Sequence, residues 1–304
     1  MKVFFSPRYD VTLPGHVWPT SKYRLITERL AVGPYAAACQ ILDPPEASWE
    51  DLALVHTSEY LEKLRSGVLS DDEIATLELP WQPEFASAFR IMAGGSCAAA
   101  AAALDDGKAA HLGGGLHHAF ANHGEGFCPI NDIAVAIRLA QRSTRVRSRQ
   151  SARPVRRAAV IDLDVHHGNG TAMIFERDPD VFSFSMHQQH NYPLFKPRSD
   201  LDIGLEDGAG DARYLEALAA ALPKVMASGP ELVVYVAGAD PFAGDRLGGL
   251  RVTKAGLAER DRMVVAAVRG AGVPLVLTLA GGYAVDVQDT VDIHVATVET
   301  MLKA

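Results

Sequence analysis

The sequence contains little cysteine and no cysteine motif. Its three cysteines, Cys39, Cys97 and Cys128, are widely spaced, and no C-x-x-C pair occurs. This argues against a disulfide framework and against a zinc site built from thiolates, and it fits a reducing compartment. We therefore expect a cytoplasmic protein.

A large charge excess and long apolar segments are also lacking. The net charge of −8 comes from 29 basic and 37 acidic residues, so nothing global favours nucleic acid or an anionic membrane as a partner. The N-terminal MKVFFSPRYD is too short and too soon charged for a signal peptide. No apolar stretch approaches the roughly 18 residues of a membrane span, so we expect none.

Predicted strands and helices alternate along the chain. Apolar runs such as AAVID, ELVVYVA and PLVLTL predict buried parallel strands, and the segments between them predict helices on both faces of the sheet. We interpret the chain as one doubly wound α/β domain over residues 1–304 with a mostly parallel sheet. Two local expectations are a short strand over 51–55 and a long irregular loop over 187–210.

The stretch 158–171 carries the most suggestive chemistry. Asp162, Asp164 and His166 alternate at the carboxyl end of a predicted strand, so their side chains point the same way. Asp164 and His166 can present an oxygen and a nitrogen to one divalent metal such as zinc. The alternative is a polar loop that only caps the following helix, beginning with Asn169.

Other predicted strands also end in polar groups. His117 and His118 follow one strand, Asp240 a second and Tyr283 a third. Ligands bind beyond the carboxyl ends of strands in open α/β sheets, so these groups should meet. Asp240 could be the third metal ligand, one of the two histidines a base, and Tyr283 a hydrogen-bond donor to an oxyanion. Together these roles fit the hydrolysis of an amide. Taken singly, each has a simpler explanation, namely exposed histidines, a helix cap and a packing tyrosine.

The segment 142–157 is unusually rich in arginine and serine. A phosphate-binding patch is one interpretation. A solvated linker into the next strand is favoured, because aromatic residues are absent from the segment and the chain is acidic overall. The sequence leaves its role open.

The motifs of the chain resemble a known family. GGGLHHAF, GFCPINDIAVAI, VIDLDVHHGNGT, AGADPFAGDRLGGL and LAGGY, in this order, are similar to the motifs of the zinc-dependent histone deacetylases, which include bacterial acetoin-utilisation-type and acetylpolyamine amidohydrolases. The resemblance runs from about residue 110 to 283 and implies the arginase/deacetylase-like fold. It also implies zinc bound by Asp164, His166 and Asp240, although iron(II) could occupy the same ligands.

The resemblance assigns further roles. It implies that His118 is the general base and acid, that His117 is an electrostatic helper held by Asp162, and that Tyr283 stabilises the oxyanion. The implied substrate channel is lined by Gly126, Phe127, Tyr192 and Leu247. A structural potassium ion is implied near Asp162, Asp164, His166, Ser185 and Met186, and a second cation near Phe175, Asp178 and Val181.

The chain departs from the family pattern at several positions. Asn169 stands where some members carry an Asp that partners the second histidine, so His118 should be less basic here. Pro129 replaces a frequent aromatic residue, while FSPRYDVT and GDRLGGL resemble the class IV branch, some of whose members remove fatty acyl groups. Arginases share the fold, but the carboxylates for their second manganese ion are missing after His166 and Asp240.

We therefore expect a zinc-dependent amidohydrolase that removes an acetyl or longer acyl group from acylated lysine side chains. One alternative keeps this chemistry but acts on small acylated amines such as acetylpolyamines. Another is a catalytically silent module that binds acyl-lysine, against which the complete set of ligands, histidines and Tyr283 argues. The acyl-chain length and the oligomeric state stay open.

Overall fold

A computed structural model describes residues 1–146 and 155–304. Within these ranges its strands are β1 (Lys2–Phe4), β2 (Gln40–Leu42), β3 (Lys108–His111), β4 (Ala158–Asp162), β5 (Val181–Gln188), β6 (Leu201–Leu205), β7 (Leu232–Val236) and β8 (Leu275–Thr278). The helices are α1 (Ser21–Val32), α2 (Trp49–Leu52), α3 (Ser58–Ser66), α4 (Asp71–Leu77), α5 (Pro83–Asp106), α6 (Asp132–Val146), α7 (Asn169–Phe175), α8 (Asp211–Ala227), α9 (Lys254–Gly270) and α10 (Val287–Lys303).

The strands form one eight-stranded sheet in the order β2-β1-β3-β8-β7-β4-β5-β6. Every pair of neighbouring strands is parallel. The predicted doubly wound α/β fold is therefore confirmed, with a sheet that is wholly rather than mostly parallel. The single domain over residues 1–304 stays a prediction.

Apolar side chains leave the central strands on both faces of the sheet. Val160 and Val234 pack in a cluster with α5 and α6, whereas Ile161 and Tyr235 pack in the cluster that holds α8 and α9. Successive strand residues point to opposite faces, so a strand without polar interruption is covered by helices on both sides. The candidate polar groups therefore lie at the strand ends, because the side chains along the strands belong to the core.

Helix α5 corrects the expectation that no stretch is apolar enough to span a membrane. Its residues Glu84–Asp106 are long and apolar enough by length and composition alone, but most of this segment is buried inside the fold. The helix packs along α6 and along β3. Its run of alanines lets these neighbours approach closely, as in the core helix of a globular protein.

Two local predictions were wrong. Residues 51–55 are not a strand, because Ser48 accepts a hydrogen bond from the backbone N–H of Asp51 and begins the short helix α2. Residues 187–210 are not one irregular loop, since β5 continues to Gln188 and β6 pairs with it. The edge strand β6 reads LDIGL, which alternates apolar residues with Asp202 and Gly204, two residue types that strands disfavour.

A buried ion pair lies behind the central strands. Arg260 is fully buried on α9, and its Nε donates a hydrogen bond of 2.9 Å to Asp261. Its Nη1 donates to the carbonyl oxygen of Gly238 at 2.6 Å. Asp261 also accepts hydrogen bonds from the hydroxyls of Tyr235 and Thr297 at 2.5 and 2.6 Å. The cluster fixes the loop that leaves β7.

Half of the arginine-rich segment 142–157, residues 147–154, lies outside the described residues. At the C-terminal end of the segment, the backbone N–H groups of Arg156 and Arg157 donate to the Glu231 carboxylate at 2.6 and 3.1 Å. These bonds tie the start of β4 to the start of β7. The role of the rest of the segment stays open.

Candidate metal centre and active site

The candidate residues meet because their strands are neighbours. The central part of the sheet has the order β3-β8-β7-β4, and all these strands are parallel. His117 and His118 follow β3, Tyr283 follows β8, Asp240 follows β7, and Asp164 follows β4. Parallel strands end at the same edge, where open α/β sheets bind ligands. The sequence-predicted groups therefore lie around one point.

Three of these side chains could hold a metal ion. Ligand atoms of Asp164, His166 and Asp240 all lie within 4.8 Å of one another. The Nδ1 atom of His166 is 3.0 Å from Asp164 Oδ1 and 3.4 Å from Asp240 Oδ2. All three side chains are buried. Two carboxylates and one imidazole form a donor set that suits zinc or iron(II) and leaves positions for water and substrate.

The hydrogen bonds of the two carboxylates support this assignment. Asp240 Oδ1 accepts from the N–H of Val165, and Asp164 Oδ2 accepts from the N–H of Gly281, both at 2.9 Å. Asp240 Oδ2 has no hydrogen-bond partner within the described residues. Burial, together with the neighbouring Asp164 carboxylate, raises the pKa of Asp240 to about 7. A divalent cation would satisfy this orphaned oxygen and keep both carboxylates ionised.

Glycine 281 makes the close approach possible. A Cβ atom at this position would lie 2.0 Å from Asp240 Oδ2 and 2.5 Å from Asp164 Oδ2. Such distances are far inside van der Waals contact, so any side chain here would displace a ligand. The backbone of the AGGY turn therefore forms one wall of the candidate metal site.

The two histidines are held in different electrostatic states. His117 Nδ1 lies 2.7 Å from Asp162 Oδ2. Burial lowers its pKa, but the Asp162 and Asp164 carboxylates outweigh burial and raise the pKa to about 9. His118 Nδ1 lies 2.7 Å from Asn169 Oδ1. Burial, and then the charges on His117 and His166, lower the pKa of His118 well below its ordinary value.

These states fit different chemical tasks. His118 is neutral near pH 7 and can accept a proton, whereas His117 stays protonated and contributes a positive charge. The expectation of a weakly basic His118 agrees in direction with its lowered pKa. The largest cause is burial rather than the uncharged partner Asn169, whose hydrogen bond raises the pKa.

Tyr283 keeps its proton. Burial, and then the Asp164 and Asp240 carboxylates, raise the pKa of its phenol well above 10. Its backbone N–H donates to Asp245 at 2.6 Å, and the ammonium of Lys22 lies 5.4 Å from the ring centroid. The protonated hydroxyl is thus available as a hydrogen-bond donor.

Lys22 supports the turn that carries Tyr283. It is fully buried and donates to the carbonyl oxygens of Ala280 and Gly282 at 2.9 and 3.4 Å. Burial lowers its pKa to about 8. Sequence reasoning missed this residue, although a lysine aligned with Ile26 and Leu30 on the buried side of a helix was a detectable signal.

A cavity of about 250 Å³ connects these groups with the predicted channel residues. Gly126, Phe127, Tyr192 and Leu247 all line it, as do His117, His118, Asp164, His166 and Tyr283. Trp18, Tyr23, Leu116 and Cys128 add apolar and aromatic surface to the same wall. The cavity can therefore hold an apolar group beside the candidate metal site.

A tight turn sets one side of the cavity. Glu125 and Cys128 pair through backbone bonds of 2.9 and 3.1 Å across Gly126 and Phe127. Both central residues have positive φ, +50° for Gly126 and +67° for Phe127, as in a type I′ turn. The left-handed conformation is strained for a phenylalanine and aims its ring at the rings of His16 and Tyr283, with centroids 4.7 and 6.1 Å away.

Sequence reasoning also missed Glu125, which begins this turn. Its carboxylate accepts hydrogen bonds from Asn169 Nδ2 at 2.7 Å and from the Tyr192 hydroxyl at 2.9 Å. The signal was its place directly before the GFC motif, as the single acidic residue between Asp106 and Asp132. Glu125 thus links Tyr192, which lines the cavity, to Asn169, which contacts His118.

The residues predicted to bind monovalent cations form two groups. Asp162 and Ser185 are register partners near the carboxyl ends of β4 and β5, next to Asp164, His166 and Met186. Phe175, Asp178 and Val181 lie around the turn that enters β5 at its other end. The Asp178 carboxylate contacts Arg138 and the N–H of Asp180, so a cation there would be held by backbone carbonyls.

Comparison with family models identifies a known domain over most of the chain. The histone deacetylase domain model matches residues 16–298. An uncharacterised protein of Picosynechococcus is 38% identical over 296 residues, covering 96% of this chain and 95% of the relative. Histone deacetylase 2 of Arabidopsis thaliana is 32% identical over 297 residues, covering 93% of this chain and 74% of the relative.

Among solved structures, the crystal structure of the HDA15 HD domain is similar over the whole chain. The TM-score is 0.80 at 25% sequence identity, covering 100% of this chain and 91% of the other. The similarity includes the parallel sheet whose strand ends carry the candidate site.

Proposed function

The chain belongs to the histone deacetylase family, and on that premise we propose that it is a zinc-dependent amidohydrolase that removes an acyl group from acylated lysine side chains. The observation that carries this proposal is the buried Asp164, His166 and Asp240 cluster, with the unpaired Asp240 Oδ2, beside a neutral histidine and a protonated tyrosine.

The first part of the reaction needs a Lewis acid and a base. Zinc bound by Asp164, His166 and Asp240 would polarise the substrate carbonyl and make water more acidic. His118 donates its Nδ1–H to Asn169, which leaves the Nε2 lone pair free to accept the proton of the attacking water. Protonated His117 adds positive charge where negative charge develops.

The second part needs a hydrogen-bond donor and an acid. The Tyr283 hydroxyl donates to the oxygen of the scissile carbonyl as that oxygen gains negative charge. An alkylamine leaves poorly unless it is protonated, so His118 returns the proton from Nε2 to the leaving nitrogen. Apolar cavity walls at Phe127 and Leu116 exclude water from the acyl group.

Potassium at the two predicted cation sites belongs to the same proposal. An ion next to Asp162 and Ser185 would offset part of the negative charge gathered at the end of β4. It would act on structure rather than on the reacting atoms.

The test is hydrolysis of one lysine peptide that carries acetyl, octanoyl or myristoyl, measured with zinc-loaded protein and with chelator. We expect release that stops with chelator and returns with zinc. Preference for the longer acyl groups would assign the apolar cavity to fatty chains. Release only from acetylated polyamines would favour the small-amine alternative.

The matched control separates catalysis from binding. His118→Ala should abolish release while zinc remains bound at one equivalent by elemental analysis. If wild-type protein binds zinc and releases acyl groups from no peptide or polyamine, the hydrolase proposal is wrong and a silent acyl-lysine binder replaces it.

A further inference from the structure

Glu125 contacts several side chains around the candidate base. Its Oε1 atom accepts from Asn169 Nδ2 at 2.7 Å and from the Tyr192 hydroxyl at 2.9 Å, and Oε2 lies 3.6 Å from His123 Nε2. Only 18% of its side chain is exposed. Burial raises the pKa of Glu125, but the contact with His123 and the hydrogen bonds from Asn169 and Tyr192 outweigh burial and hold the pKa below its ordinary value.

An ionised carboxylate can only accept hydrogen bonds, and this fixes the orientation of the Asn169 amide. The NH₂ group must face Glu125, so the amide oxygen must face His118. Asn169 is buried, with 2% of the residue exposed, so solvent does not select its orientation. An amide oxygen facing His118 Nδ1 in turn requires the imidazole proton to sit on Nδ1.

The reacting nitrogen of His118 is thereby kept free of its proton. We propose that Glu125 is a positioning residue that sets the Nδ1–H tautomer of His118 by orienting the amide of Asn169. This inference rests on the proposed function of His118 as the general base. Without the carboxylate, the amide can turn over and offer its NH₂ group to Nδ1, which moves the proton to Nε2 and blocks the base.

The proposal explains why an uncharged partner suffices at residue 169. An aspartate there would accept from His118 by itself, because both of its oxygens are acceptors. The asparagine amide has an acceptor oxygen and a donor NH₂ group. A second group is therefore needed to determine which of the two faces His118. Glu125 is that group, at the far end of a hydrogen-bonded chain from Glu125 through Asn169 to His118.

The experiment is a double-mutant cycle on the zinc-loaded protein with an acyl-lysine peptide. Glu125→Met, similar in length but uncharged and only a weak hydrogen-bond acceptor, should lower kcat by about 10- to 100-fold with KM changed less than about threefold, since a wrong tautomer in a serine protease triad costs about 10⁴. In the Asn169→Asp background, the same substitution should leave kcat unchanged or raise it, because the aspartate fixes the tautomer and the neighbouring carboxylate only repels it.

Equal losses of kcat in both backgrounds would mean that Glu125 merely supports the loop, and the proposal would fail. It would also fail if Glu125→Met alone changed kcat by less than twofold. Glu176→Met, at an exposed position at the end of α7, is the control for removing one acidic side chain and should keep wild-type kcat. Melting temperature and zinc content verify that each variant is folded.

A second readout does not depend on turnover. Nitrogen-15 NMR of histidine-labelled, zinc-loaded protein distinguishes a protonated from an unprotonated Nδ1. His118 should show a protonated Nδ1 in the wild type, and in Glu125→Met a shift towards protonated Nε2. The same tautomer in both proteins overturns the proposal even if hydrolysis is absent, whereas absent hydrolysis with the expected shift overturns only the assigned activity.

Discussion

Replacing Arg260 by methionine should destabilise the fold strongly. The substitution keeps an apolar stem but removes the guanidinium that pairs with the buried Asp261 at 2.9 Å. Breaking a buried ion pair by removing one partner costs about 3–5 kcal/mol, because the other charge stays buried without compensation. The carbonyl of Gly238 loses its 2.6 Å donor as well.

The expected change in melting temperature follows from the size of the protein. At about 2.1 cal/mol/K per residue, the unfolding entropy of 304 residues is about 0.6 kcal/mol/K. A loss of 3–5 kcal/mol therefore lowers the melting temperature by about 5–8 °C. Gly238 lies two residues before Asp240, so zinc affinity should fall too.

The assay is thermal unfolding by calorimetry of metal-free protein, with zinc titration as the second measurement. Arg262→Met is the matched control, since this side chain is on the same helix and 64% exposed, and it should change the melting temperature by less than 1 °C. Asp261→Asn should recover part of the loss in the Arg260→Met background. A loss below about 1 kcal/mol, or strict additivity of the two substitutions, would refute the argument from an uncompensated charge.

Further predictions concern the metal site and the oxyanion donor. Gly281→Ala should reduce bound zinc to a small fraction of one equivalent by elemental analysis, because its Cβ would lie 2.0 Å from Asp240 Oδ2, whereas Gly270→Ala, with open space around it, should bind zinc normally. Tyr283→Phe should lower kcat by about 10²- to 10³-fold with zinc content unchanged, and a smaller effect in a steady-state assay would exclude Tyr283 as the main donor. Zinc at one hundred times its dissociation constant should stabilise the fold by about 2.7 kcal/mol, or about 4 °C in a melting experiment, while magnesium at the same concentration should not.

The pattern of apolar strands alternating with helices predicted most of the fold. It also predicted that the candidate residues lie together at the carboxyl edge of the parallel sheet. Asp164, Asp240 and Tyr283 each follow an apolar β-branched run, so the rule that parallel strands end together is enough to group them. The place of Glu125 before the GFC motif marks the residue but not its hydrogen-bond partners, and no sequence pattern assigns Arg260 to this site. Their importance depends on distances to Asn169 and Gly238, which are set by packing and not by local pattern.

The secondary structure errors have a similar origin. Residues 51–55 contain an apolar run that is typical of a strand. The Ser48 cap and the acidic residues of the first turn favour a helix instead, and the apolar run alone does not indicate it. β6 pairs with the edge that β5 offers, and its Asp202 and Gly204 are residue types that are depleted in strands, so its own sequence predicts a strand poorly.

The separation of the proposed metal ligands along the chain has a consequence for how the protein folds. Asp164 and His166 are local to β4, but Asp240 and the N–H of Gly281 arrive only after β7 has paired with β4 and β8 has paired with β7. Closing such long loops lowers the conformational entropy of the chain, and this cost precedes the stabilisation that metal coordination would provide. Zinc capture should thus occur late and report a nearly complete fold. A kinetic trace of zinc uptake during refolding would follow the central sheet as it closes, not the earliest collapse of the chain.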